Sequence, residues 1–122
     1  MGIYKVFSSK DNTITNAFKS DLTNRGIQAN MGASDILEIF SIYGAASENS
    51  LENSRIIIEF PIQEIKDAAT AGIIPANSND RKFKLKLFNA EHSTTTPENF
   101  SVSVHPLQKS WNEGTGLDME QY

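Results

Sequence analysis

The chain has 122 residues, the size of one domain. Its 11 basic and 15 acidic side chains leave a formal charge of -4, which offers nucleic acid no clustered basic surface and gives no case for an anionic membrane as partner. It has no cysteine, which excludes disulfides, thiolate metal sites and cysteine catalysis.

Residues 1–7 lack the long apolar core of a signal peptide, and no run of about 18 apolar residues is present to span a bilayer. Residues 3–7 and 12–15 flank the polar turn Ser8-Ser9-Lys10-Asp11 and read as a hairpin or a pair of edge strands. Residues 35–43 alternate Leu37, Ile39, Ser41 and Tyr43 with Ile36, Glu38, Phe40 and Ile42, which predicts a strand. Residues 54–60 hold Ile56, Ile57 and Ile58 in succession, as in a strand covered on much of both faces. Residues 61–71 carry Ile62, Ile65, Ala68 and Ala69 at helical spacing, with Pro61 at the start and Gly72 as a stop.

Beyond the helix, Phe83, Leu85 and Leu87 alternate strictly with Lys82, Lys84 and Lys86, which predicts a strand over 81–88. Residues 100–107 repeat the pattern, with Phe100, Val102 and Val104 against Ser101, Ser103 and His105. The loops between are rich in Asn, Ser, Thr and Gly. Strands joined by such loops, with a single short helix after a central strand, argue for an all-β sandwich rather than a parallel α/β sheet. Residues 1–110 form the expected sandwich domain, and 111–122 a polar C-terminal loop or arm suited to assembly.

Catalytic chemistry finds no footing. His92 lies in a threonine-rich loop and His105 on the polar side of its strand, and their spacing is not that of a zinc site. No nucleophile elbow or phosphate-cradling glycine loop is present. Glu113, Asp118 and Glu120 cluster near glycines, but without the alternation of a calcium loop. The reading is of a non-enzyme with no cofactor and no metal. Trp111 and the tyrosines Tyr4, Tyr43 and Tyr122 are the aromatics that could stack on a sugar, while a tryptophan at a strand end equally serves as a core plug.

One ordered set of short motifs stands out: Asp11-Asn12-Thr13-Ile14, then Asn30-Met31-Gly32, then Arg55 opening a strand that ends at Phe60, then Leu85-Lys86-Leu87, then Trp111-Asn112-Glu113-Gly114. In this order the chain resembles the DNRLRE-type jelly-roll modules over roughly residues 4–122. The resemblance implies a jelly-roll β-sandwich in which Arg55 and Trp111 are structural. It implies a non-catalytic role, as in virion components of tailed bacteriophages: capsid decoration, neck, tail or fibre. The partners would be other virion proteins and copies of the chain itself, bound by many weak contacts summed through avidity. A carbohydrate-binding or host-adhesion module, with a host surface glycan as ligand, is the alternative. Family members continue past the tyrosine-containing segment into further strands. The sequence stops at Tyr122, so an open sheet edge and an assembly role for 111–122 are expected. The residues expected to make assembly or ligand contacts are Tyr4, Trp111, Glu113, Asp118 and Tyr122.

Overall fold

Isoleucine in succession stiffens a chain toward the extended form, and the strand built on Ile56–Ile58 organises the molecule. The computed structural model describes residues 2–44, 46–93 and 95–120. It holds strands β1 (Lys10–Thr15), β2 (Ser41–Tyr43) and β3 (Leu51–Glu59), helix α1 (Ile62–Thr70) and a 3-10 turn at Ser78–Asp80. The strands form one antiparallel sheet in the order β1-β3-β2. The result is a β-based fold with one short helix.

β3 is the central strand, and Ile56, Ile57 and Ile58 are each half-buried, as their run implies. β1 pairs with it from Lys10↔Glu59 to Thr15↔Ser54, so the expected partner of the early strand, residues 3–7, is replaced by β3. The register is pinned at both ends. Lys10 Nζ lies 3.2 Å from both carboxylate oxygens of Glu59. At the other end the Asn53 N–H donates to Asn16 Oδ1 at 2.8 Å, and Thr15 Oγ1 donates to the Asn53 carbonyl at 2.8 Å.

β2 is shorter than the alternation over 35–43 predicts, and the cause is competition for backbone donors. The Glu38 N–H donates to Thr13 Oγ1 at 2.9 Å and the Phe40 N–H to Ser54 Oγ at 2.8 Å. Hydroxyls thus take two donors that a longer ladder could have used. The β2–β3 turn is closed by the Gly44 N–H on the Ser50 carbonyl at 2.8 Å.

Helix α1 follows its sequence signals closely. Ala68 is buried, Ile65 and Ala69 are half-buried, and Ile62 is exposed. At the C-terminus the Ile73 N–H donates to Ala68 O at 2.9 Å and the Gly72 N–H to Ala69 O at 3.1 Å, with Gly72 at φ +72°. This six-to-one plus five-to-two pairing is a Schellman motif, and its left-handed residue is the one that glycine adopts without strain.

A hairpin-like turn over 18–25 was not signalled by periodicity. Phe18 and Arg25 bridge, with the Arg25 guanidinium 4.2 Å from the Phe18 ring centroid. Asp21 Oδ1 accepts from the N–H groups of Thr23 (2.8 Å) and Asn24 (2.9 Å). These bonds, the Asn24 backbone first, hold the Asp21 carboxyl down at about 2. Because the folded value lies below the unfolded one, the turn's contribution is complete above about pH 4 and is lost as pH falls toward 2. An NMR titration should place the Asp21 midpoint near 2, and a midpoint near 4 would contradict these bonds.

The fully buried apolar residues among those described are few and small or flexible: Ala17, Met31 and Ala68. Buried polar Asn12, Thr13, Ser50 and Glu52 accompany them. Residues 81–88 and 100–107 depart from expectation, since neither forms a strand. Every described residue from 82 to 110 is exposed, including Phe83, Leu85, Leu87, Phe100, Val102 and Val104. Period two sets which side chains share a face, but a ladder also needs a neighbouring strand, and none in the described chain is placed beside them.

Candidate functional site

The edge of β1 carries the densest set of long-range polar contacts. Asn12 is 2% exposed and works in both directions. Its Oδ1 accepts the Met31 N–H at 2.9 Å, and its Nδ2 donates to the Glu113 carbonyl. The Glu113 side chain closes the same edge, with Oε1 accepting the Asp11 N–H at 2.9 Å. Asn30 completes the junction. Its Oδ1 accepts the Gly116 N–H at 2.7 Å, and the Ala33 N–H donates to Gly116 O at 2.9 Å.

Glycine is required here by proximity. A methyl group on Gly32 would fall on the Glu113 carbonyl, one on Gly116 on the Asn30 carbonyl, and one on Gly114 on the Asn30 side-chain amide. Gly114 also sits at φ +81°, in the left-handed region. Three motifs far apart in sequence, Asp11-Asn12-Thr13, Asn30-Met31-Gly32 and Trp111 to Gly116, therefore converge on one place.

Two of the residues picked from sequence belong to this junction. Glu113 is the pin just described. Trp111 is half-buried, with Lys10 Nζ 6.0 Å from its ring centroid, so the Lys10–Glu59 pair sits beside the indole. Tyr4 lies against the helix, its hydroxyl donating to Glu64 Oε1 at 3.1 Å. That bond and the carboxylate's charge raise the phenol above its ordinary value. Asp118 is exposed and accepts the Glu120 N–H at 2.8 Å. Tyr122 lies outside the described residues. Asn12, Asn30 and Lys10 stand in motifs quoted above, yet their roles emerge only once the chain closes on itself.

The segment 111–120 is thereby docked. Besides Glu113 and Gly116, Met119 rests against Gly26, and the Ser20 N–H donates to Glu120 Oε1. The open surface is elsewhere, along 82–110.

In chemical terms the junction is a structural lock: its donors and acceptors are satisfied by one another. Among the described residues no group of three or more His, Asp or Glu side chains is gathered as a metal site would need. His92 Nε2 lies 3.2 Å from Thr96 Oγ1 and 3.3 Å from Asn89 Nδ2, in an exposed loop. An open depression of about 330 Å³ is lined by Ile14, Thr15, Asn16, Ile27, Asn53 and Arg55, with no catalytic pairing of nucleophile and base among them. No described helix is long and apolar enough to cross a membrane. Compared with protein-family models, curated proteins and solved structures, the chain matches none.

Proposed function

We propose that this protein is a non-enzymatic structural component of a tailed-bacteriophage particle, a capsid-decoration, neck, tail or fibre protein that works by protein–protein assembly. The observation that carries the assembly half is the surface along 82–110. An ordinary monomer scatters its exposed apolar residues singly, whereas this chain carries two alternating apolar rows, at 83–87 and 100–104, and leaves both in solvent. The particle half rests on the resemblance to jelly-roll modules, supported by the meeting of its first, second and last motifs at the β1 edge. A jelly-roll sandwich in the assembled state belongs to the same proposal, with residues 82–88 and 100–107 as strands paired there. The site of action is then the virion, and the partners are other virion proteins and copies of the chain.

Mass spectrometry of purified particles should recover the protein at a copy number set by particle symmetry. Particles that form and infect normally with no copy present would overturn the proposal.

The glycan-binding alternative has one observation in its favour, the partly open face of Trp111. Under the assembly reading, Trp111 fluorescence stays unchanged when millimolar oligosaccharides are added. A saturable change would favour the alternative instead.

A further inference from the structure

The pairing of β1 with β3 gathers one set of side chains on a single sheet face. Ile14 stands directly opposite Arg55, and Asn53 lies two residues before Arg55, so the three share that face. With Thr15, Asn16 and Ile27 they line the open depression of about 330 Å³.

Most polar groups in the depression are already committed. Thr15 Oγ1 donates to the Asn53 carbonyl at 2.8 Å and accepts the Ala17 N–H at 3.0 Å. Asn16 Oδ1 accepts the Asn53 N–H at 2.8 Å, and its Nδ2 donates to the Leu51 carbonyl at 3.4 Å. Two groups are left over. Among the described residues, the Arg55 guanidinium and the Asn53 side-chain amide have no hydrogen-bond or ion-pair partner. The register supplies the reason, because Arg55 faces Ile14 across the ladder and an isoleucine side chain offers no acceptor. Arg55 is exposed, and Ile14 and Ile27 beside it are 39% and 65% exposed.

The surroundings are cationic, although the chain carries a net charge of -4. An adjoining depression shares Ile27 and is lined by Lys19 and Arg25, with Asp21 as its one carboxylate. Both Asp21 oxygens are engaged, Oδ1 by the N–H groups of Thr23 and Asn24 and Oδ2 by the Asn24 amide at 2.7 Å. Arg25 is anchored between the two depressions, its Nη1 donating to the Asn16 carbonyl at 2.6 Å. No acidic side chain lines the Arg55 depression. An anion that arrives there meets attraction and no competing carboxylate.

We infer that this depression binds a short aliphatic carboxylate. The two carboxylate oxygens take paired N–H donors of Arg55, whose planar fork matches them in geometry. The Asn53 amide supplies a further donor, and the aliphatic body covers Ile14 and Ile27. The site lies apart from the surface along 82–110 and does not depend on the assembly reading.

The probe is butyrate, titrated into the isotope-labelled full-length chain at low salt and followed by NMR. The backbone N–H signals of Ile14, Asn16, Ile27, Asn53 and Arg55 should move together and saturate with a Kd of about 10 mM, in keeping with so few ligand atoms. Butyramide has the same shape without the charge and should bind at least about tenfold more weakly. Acetate lacks most of the aliphatic body and should bind about fivefold more weakly. R55Q should lose at least about tenfold of the butyrate affinity with its urea midpoint unchanged, since Arg55 holds no partner in the described chain. If R55Q is destabilised, the butyramide comparison on the unaltered chain decides. Equal affinity for butyrate and butyramide overturns the inference. So does a titration without saturation, a set of moving signals on another surface, or a folded R55Q that binds as tightly as the original.

Discussion

Gly32→Ala should lower unfolding stability by about 3 kcal/mol, read as a drop in the urea midpoint followed through Trp111 fluorescence. The magnitude is the upper end of the overpacking range, because the atoms in the way are backbone atoms of Glu113 and Gly114 rather than the tip of a flexible side chain. Relief requires the 111–116 segment to move off β1, which breaks the Glu113 bond to the Asp11 N–H and the Asn30 bond to the Gly116 N–H together. The control is Gly2→Ala. A methyl group there meets nothing within 4 Å and should leave the midpoint unchanged. An unchanged midpoint for the Gly32 variant would mean that the two segments do not approach as described.

Asn12→Ala should cost a similar amount, about 3 kcal/mol. The side chain is buried and makes one bond as acceptor and one as donor. Its removal loses both bonds and leaves the Met31 N–H and the Glu113 carbonyl unpaired in a dry place, and each such group costs about 1–3 kcal/mol. Asn12→Asp separates the two roles. The acceptor for Met31 survives, but at neutral pH a carboxylate oxygen faces the Glu113 carbonyl. Repulsion favours the protonated acid in the folded state, so this variant's folded carboxyl is raised above its unfolded value of about 4. The penalty of the variant therefore grows as pH rises through about 4 and is relieved below it. Urea midpoints at pH 3.5 and pH 7 read this difference. Equal penalties at both would show that the Nδ2–carbonyl bond is not made.

What could be read from residue order differs by the kind of interaction involved. Helix α1 was legible because its signals are local: Pro61, the apolar stripe and Gly72 lie within one short segment. β3 was legible because three adjacent isoleucines need no partner to favour extension. The truncation of β2 was not legible, since it depends on Thr13 and Ser54 hydroxyls arriving from other strands. The turn at Asp21 was missed because it is built from side-chain bonds to nearby N–H groups and leaves no apolar period. Residues 82–88 show the limit from the other side. Their alternation states a preference for pairing but says nothing about which strand is the partner.

The candidate site divides in the same way. Trp111 was singled out as an aromatic at a strand end and Glu113 as an acid near glycines, and both lie at the β1 junction. The reason Glu113 matters, its grip on the Asp11 N–H, follows from closure of the chain and from no local pattern. The C-terminal segment was expected to be a loop or arm. Its described part is an irregular stretch bonded to residues 11, 12, 20 and 30.

The bond from Glu113 to Asp11 spans 102 positions, and that separation has a consequence for the order of events during synthesis. A ribosome adds about 5–20 residues each second, so β1 emerges several seconds before the carboxylate that covers its edge has been made. Throughout that interval the edge is open to whatever strand is nearby. Residues 111–116 leave the exit tunnel well after β1, and their arrival is what closes that edge.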